Sequence, residues 1–260
     1  MITLKSKREL GLMRDAGELV ARAHKIVREM VEPGVTTLEI DQAVEEFFAA
    51  QDAEPLFKGY PGEGSVPFPS VTCMSPNEQV VHGIPSAEPL RSGDILSVDT
   101  GCRIHGWCGD AAWTYPVGDV DSESQHLLDV GEEMLNVAIE QMGRQKKWST
   151  VARKMMKLAK AKKLSLVEKF VGHGIGREMH EGPQVPNYTT ESLQRDDFEL
   201  QPGLVLAVEP MLNGGTSDIR VLKDQWTVVT ADGKRSVHFE HTVALTADGP
   251  IRLTEGVGEK

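Results

Sequence analysis

Cysteine is scarce in this chain: there are three, Cys73, Cys102 and Cys108. So odd and thin a set excludes a disulfide scaffold, and no C-x-x-C pair marks a structural zinc site. Basic charge is also short. Lys and Arg total 28 against 39 Asp and Glu, a formal net charge of −11. Such a chain lacks the basic surface that phosphate backbones require, and an anionic bilayer would repel it. Neither nucleic acid nor membrane is therefore an expected partner. No apolar run approaches the ~18 residues of a membrane span. The first residues, Met1-Ile2-Thr3-Leu4-Lys5-Ser6-Lys7-Arg8-Glu9, carry charge at once and contain no apolar signal core. These absences predict a soluble, cytoplasmic protein. Low-complexity linkers and literal repeats are missing too. A length of 260 with 40% apolar residues predicts a globular protein, read as one domain over residues 1–260.

What is present is patterned. Ser6-x-x-Glu9 and Thr36-x-x-Glu39 have the form of capping boxes. After the first, Leu12, Met13, Ala16, Leu19, Val20, Ala23, Ile26, Val27 and Met30 recur at helical spacing, and Pro33-Gly34 ends the run. The second opens a helix with Leu38, Ile40, Val44 and Phe47 as core candidates. Residues 55–72, rich in Gly and Pro, read as a loop. Paired strands are expected over 94–117 and a helix over about 122–143. Ser149 is expected to cap a helix running to about Leu164. Strands are expected at 166–171, 204–209, 225–230 and 236–246, with Asp232-Gly233 as the hairpin turn between the last two. The order is helix, helix, strands, then the same again, which predicts an α+β fold whose two halves share supersecondary order.

Acidic residues stand in unusual places. A hairpin symmetric about positions 104 and 105 would set Asp99 directly opposite Asp110, with Cβ atoms about 4.5–5.5 Å apart. Leu204-Val205-Leu206-Ala207-Val208 is a continuous apolar run ending on Glu209, where a carboxylate is costly unless paired or coordinated. Val237-His238-Phe239-Glu240-His241-Thr242-Val243 places another carboxylate mid-strand. Few Lys or Arg lie in these segments to pair with them. His173 and His180 fall in a glycine-rich stretch, Gly172-His173-Gly174-Ile175-Gly176, which lacks the lysine and context of a phosphate loop. Two Asp, two Glu and one His suit Mn, Fe or Co better than a thiolate zinc site. Four carboxylates balance two divalent ions, and a pair of such ions is a hydrolytic arrangement.

These residues closely resemble the type I methionine aminopeptidases of the pita-bread fold. The motifs that carry the resemblance are Asn77-Glu78-x-Val80-Val81-His82-Gly83-Ile84-Pro85, Asp99 with Asp110, Gly172-His173-Gly174-Ile175-Gly176, His180-Glu181-x-Pro183, Val208-Glu209-Pro210 and Phe239-Glu240-His241-Thr242. The resemblance implies pseudo-two-fold halves with a central antiparallel sheet covered by helices. It implies two divalent ions held by Asp99, Asp110, His173, Glu209 and Glu240, with Asp110 and Glu240 bridging. Glu209 would double as general base, His180 would donate to the developing oxyanion, and His82 would contact the scissile amide. The expected reaction is removal of N-terminal methionine, ahead of a small second residue, by attack of an activated water. The expected partners are nascent polypeptides near the ribosome, met by a monomer.

The resemblance extends to the pocket. Cys73 and Trp226 match family pocket positions, while Met179 stands where Phe is usual. An apparent insertion of about eight residues follows Gly59-Tyr60-Pro61, spanning 62–69. Tyr60 or Phe68 could fill the aromatic position, with Phe57 nearby. A monovalent cation held by backbone oxygens at Asn77, Gln79 and Ser236 is also implied. His180 and Glu209 are 29 positions apart, too close for the helical insertion of type II enzymes. An Xaa-Pro peptidase would share the ligand set but usually carries an extra amino-terminal domain, for which residues 1–60 leave no room. A non-enzymatic relative would be expected to lose ligands. A solvated acidic sheet without metal is hard to reconcile with Glu209.

Overall fold

Both capping boxes form in the computed structural model, which describes residues 2–62, 66–191 and 193–259. Ser6 and Glu9 exchange bonds to open α1 (Lys7–Met30), and Thr36 and Glu39 do the same for α2 (Thr37–Ala50). A short β1 (Glu54–Pro55) precedes β2 (Thr72–Pro76), β3 (Gln79–Val81), β4 (Ile95–Ile104) and β5 (Trp107–Pro116). The helices α3 (Ser122–Met142) and α4 (Trp148–Lys162) follow. The remainder is strand: β6 (Ser165–Leu166), β7 (Gly172–Gly174), β8 (Glu181–Val185), β9 (Val205–Val208), β10 (Met211–Asn213), β11 (Ile219–Val221), β12 (Val228–Thr230), β13 (Ser236–His238), β14 (His241–Thr246) and β15 (Gly249–Arg252).

All ladders between these strands are antiparallel. The long strand β4 carries β5 on one edge and β2 and β1 on the other. A second sheet runs in the order β15-β14-β9-β7-β8. Each pair of helices covers its own strands. Ile40, Val44 and Phe48 of α2, with Val20 and Val27 of α1, pack on Leu96 and Val98 of β4. Met134 of α3 and Trp148 and Met155 of α4 share a core with Leu206, Val208 and Val243. This is the α+β, pita-bread arrangement.

Helix α1 sits so close to β5 that backbone meets backbone. A Cβ on Gly109 would lie 2.8 Å from Gly17 N, and one on Gly17 would strike the Leu253 carbonyl. Gly17→Ala should therefore cost about 2 kcal/mol through overpacking, read as a Tm drop of roughly 4–8 °C by calorimetry.

Six expectations need correction. Leu38 is 48% exposed, off the face of α2 that buries Ile40, Val44 and Phe48. Residues 166–171 form no continuous strand, for β6 ends at Leu166 and β7 begins at Gly172. The β4–β5 turn is His105-Gly106, with φ of 53° and 74°, the left-handed pair of a type I′ turn. Its centre lies one position later than symmetry about 104 and 105 requires, so Asp99 faces Ala112 and Asp110 faces Gly101. The two carboxylates are diagonal neighbours rather than opposed. Ser149 does not cap α4. Lys147 is the N-cap and makes no side-chain cap bond; instead Ser149 N donates to Asp197 Oδ1 at 3.0 Å, so the cap comes from a distant segment. The strand expected at 236–246 breaks at Phe239-Glu240, where Glu240 N donates to Ala112 O at 2.7 Å. Finally, Asp232-Gly233 joins no hairpin: β12 pairs with β11 and β3, whereas β13 pairs with β10. The Asp232 carboxylate accepts from Thr216 N and Lys234 N, and the chain turns away between sheets.

Candidate active site

The halves meet where β5 faces the 238–242 segment, and side chains stitch them together. Asp110 N donates to Thr242 Oγ1 (3.1 Å), and Thr242 Oγ1 donates back to Asp110 O (2.7 Å). Thr114 and His238 exchange an equivalent pair of bonds at 2.9 and 3.0 Å. These contacts fix Asp110 and Glu240 across the junction. Asp99 comes from β4, His173 from β7, and Glu209 from the residue after β9.

All five line one cavity of about 610 Å³. Asp110 and Glu240 are only 3% and 2% exposed. Asp99 Oδ1, Asp110 Oδ1 and Glu240 Oε1 are buried and accept no hydrogen bond, a costly state for carboxylates that a cation would relieve. Ligating atoms of Asp110, His173 and Glu240 lie within 4.8 Å of one another. His173 Nδ1 donates to Gly174 O at 2.9 Å. That bond leaves Nε2 bare, 3.6 Å from Glu209 Oε1, in the tautomer a metal-ligating imidazole needs. The donor set therefore fits divalent ions.

Electrostatics agree. Burial pushes Asp110 up to about 7. Burial, then repulsion from Asp110 and Glu209, holds Asp99 well above the usual carboxylate range. Glu209 and Glu240 are raised in the same way, by burial first and by neighbouring carboxylates second. Burial lowers His173 to about 3, keeping it a neutral donor.

Around this floor stand the other expected residues. His180 stacks edge-on against His173, ring centroids 4.3 Å apart, and its Nδ1 is 2.7 Å from the Tyr60 hydroxyl. His82 adopts a left-handed φ of 58° and lies edge-on to Phe170 and Trp226. Burial lowers it to about 4. Phe57, Phe68, Cys73, Met179 and Trp226 form one apolar cluster, with Tyr60 packed against it, so all three candidate aromatics line the same cavity. Burial, then Asp99 and Asp110, raises the Cys73 thiol well above its ordinary value; it stays neutral. Of the expected insertion at 62–69, residues 63–65 lie outside the described residues. Phe68 and Tyr60 pair back on each other through Phe68 N to Tyr60 O at 3.0 Å, and Trp226 Nε1 donates to Val66 O at 2.9 Å. Val66 and Phe68 are thus fastened to the pocket wall. Asn77, Gln79 and Ser236 meet where β3 approaches β13, with Ser236 N donating to Asn77 O at 2.9 Å.

Among the cavity residues not singled out from sequence, one is a further histidine beside the carboxylates. His238 is 2% exposed and lines the same cavity. Its signal was parity, since it stands two positions before Glu240 on the same side of the chain.

Fold and site together define a metallopeptidase. The chain belongs to metallopeptidase family M24, whose model matches residues 11–247. It is 43% identical over 255 residues to methionine aminopeptidase 1 of Bacillus subtilis (strain 168), covering 98% of this chain and 99% of that one. The crystal structure of a methionine aminopeptidase from Thermotoga maritima superposes with a TM-score of 0.91 at 39% identity, covering 98% and 99% of the two chains. A prolidase from Pyrococcus furiosus shares the fold, with a TM-score of 0.74 at 20% identity over 97% of this chain and 65% of its own.

Proposed function

We propose that this protein is a methionine aminopeptidase that releases methionine from N-termini whose second residue is small. The observation that carries this is a buried group of four carboxylates and His173, three of its oxygens without a partner, at the floor of a cavity walled by Cys73, Met179 and aromatic rings. Such a wall suits an unbranched, polarizable thioether. Asp99, Asp110, His173, Glu209 and Glu240 would hold two divalent ions, of Mn, Fe or Co type. When bound, the ions supply Lewis acidity and an activated water.

The chain's own groups do the rest. Glu209 accepts a proton from the attacking water and delivers it to the leaving amine. His180 donates from Nε2 to the carbonyl oxygen as it gains charge. Tyr60, by donating to His180 Nδ1, holds the imidazole in that tautomer. His82 reaches the scissile amide nitrogen. A bulky second residue would crowd the carboxylate floor. Asn77, Gln79 and Ser236 would offer backbone oxygens to a monovalent cation. The working context is the cytoplasm, on nascent chains at the ribosome, with the protein a monomer of one domain.

A panel of peptides beginning Met-Ala, Met-Leu and Ala-Pro tests the reading directly. Met-Ala should be cleaved, Met-Leu poorly and Ala-Pro not at all. Chelator should abolish cleavage, and Mn, Co or Fe should restore it. Preferred Ala-Pro cleavage, or activity that survives chelation, would overturn the proposal. Tyr60→Phe should lower kcat roughly 3- to 10-fold through loss of one hydrogen bond, with bound metal and KM near wild type. An unchanged kcat would remove Tyr60 from the mechanism.

A further inference from the structure

His238 plays no part in the reaction just proposed, yet it is built into the same floor. Its backbone is clamped on both sides by Thr114, so β5 sets where the ring stands. Neither ring nitrogen has a hydrogen-bond partner among the described residues. Its Nε2 lies 3.7 Å from Glu209 Oε2 and 3.9 Å from Glu240 Oε2. Among the described residues, neither glutamate carboxylate accepts a hydrogen bond from any protein group. Of the two imidazoles within 4 Å of Glu209, His173 spends its N–H on Gly174 O, which leaves His238 as the one with an N–H to give.

The two cavity histidines next to Glu209 differ in one decisive respect. His173 satisfies its Nδ1–H on Gly174 O, which frees Nε2 as a ligand. His238 Nδ1 is buried with no acceptor. A proton placed there would be an unsatisfied buried donor, the more costly defect. The proton belongs on Nε2, facing two carboxylates.

We propose that His238 is a positioning residue that donates Nε2–H to Glu209 Oε2, a gap that a small ring rotation closes, and so holds Glu209 in the orientation its proton transfer needs. This rests on the reading of Glu209 as the base at a divalent-metal site.

The test compares His238→Ala, His238→Gln and His238→Asn with wild type. Gln places an amide N–H near the Nε2 position, whereas Asn is too short to reach Glu209. With Mn-loaded proteins, His238→Ala and His238→Asn should lower kcat about 10- to 30-fold with KM near wild type. His238→Gln should recover to within about threefold. Metal per chain by elemental analysis should be the same in all four proteins. Pulsed EPR of the bound Mn should show the same directly coordinated imidazole nitrogen in wild type and His238→Ala. Loss of a nitrogen coupling together with weaker metal binding in His238→Ala would make His238 a ligand and overturn the proposal. Equal kcat for wild type and His238→Ala, or for the Gln and Asn variants, would overturn it as well. A wild-type protein that binds no divalent ion would instead sink the underlying metal-site reading. Should His238→Ala fail to fold, the Gln and Asn pair still decides the matter.

Discussion

Replacing Asp110 by Asn should strip the protein of most of its divalent metal and lower kcat/KM on a Met-Ala peptide at least ~10³-fold, equivalent to about 4 kcal/mol. Asp110 is the carboxylate that the rest of the cluster feels most: it raises Asp99, Glu209 and Glu240 alike. Its ligating oxygen sits within 4.8 Å of the ligating atoms of His173 and Glu240. Asn has the same shape, and both bonds to Thr242 involve only the Asp110 backbone. The junction between the halves is thus kept while the charge is removed. Elemental analysis and peptide kinetics on the same preparation read both effects. Metal retained at the wild-type level, with activity within tenfold, would mean that Asp110 is not at the centre of the site. The metal-free variant should melt no lower than the metal-free wild type, because a repelling charge has gone.

Local signals in the sequence were legible because they act over a few residues. The two capping boxes form as expected since Ser6, Glu9, Thr36 and Glu39 need only their own turns. The four carboxylate positions also stood out, because acids in apolar runs such as Leu204–Val208 contrast with their surroundings, whereas the choice of His173 over His180 came from the family resemblance. Register was harder. His105 takes a left-handed φ that a non-glycine residue seldom adopts, which moved the β4–β5 turn one position and made Asp99 and Asp110 diagonal. The α4 cap was beyond local reading, for Asp197 reaches Ser149 across 48 positions. Asp232-Gly233 has the right chemistry for a hairpin, but the Asp232 carboxylate is engaged by Thr216 and Lys234. His238 illustrates a different limit. A lone histidine in a strand is most often satisfied; only the folded arrangement leaves both of its nitrogens unpaired beside two glutamates.

Freed of divalent ions, the protein should lose stability as pH rises from 7 to 8.5, whereas the ion-loaded protein should not. Asp110 is raised by burial to about 7, and Asp99, Glu209 and Glu240 are raised well above their ordinary values by burial and mutual repulsion. Unfolded, all four titrate near pH 4. Between that value and their raised values the folded state holds more protons than the unfolded one, so the slope of unfolding free energy against pH is negative. Each carboxylate still protonated in the fold contributes up to about 1.4 kcal/mol per pH unit. Below pH about 6.5 a second set opposes this. Burial lowers His24 and His82 to about 4 and His173, His238 and His241 to about 3. In that range the unfolded state takes up the protons, and stability climbs with pH. Above pH 7 those imidazoles are neutral in both states and drop out, leaving the carboxylates to set the slope. The raised thiols Cys102 and Cys108, near 12 and 11, add a slope of the same sign only as the unfolded thiols ionise at about 8.5, the upper edge of the window. Saturating Mn neutralises the cluster and binds better as competing protons leave, so it should reverse or flatten the decline. Calorimetry at pH 7.0, 7.75 and 8.5, in chelator and in Mn, reads the effect as diverging Tm values. Parallel curves in the two conditions would mean that these four carboxylates do not share an uncompensated buried site.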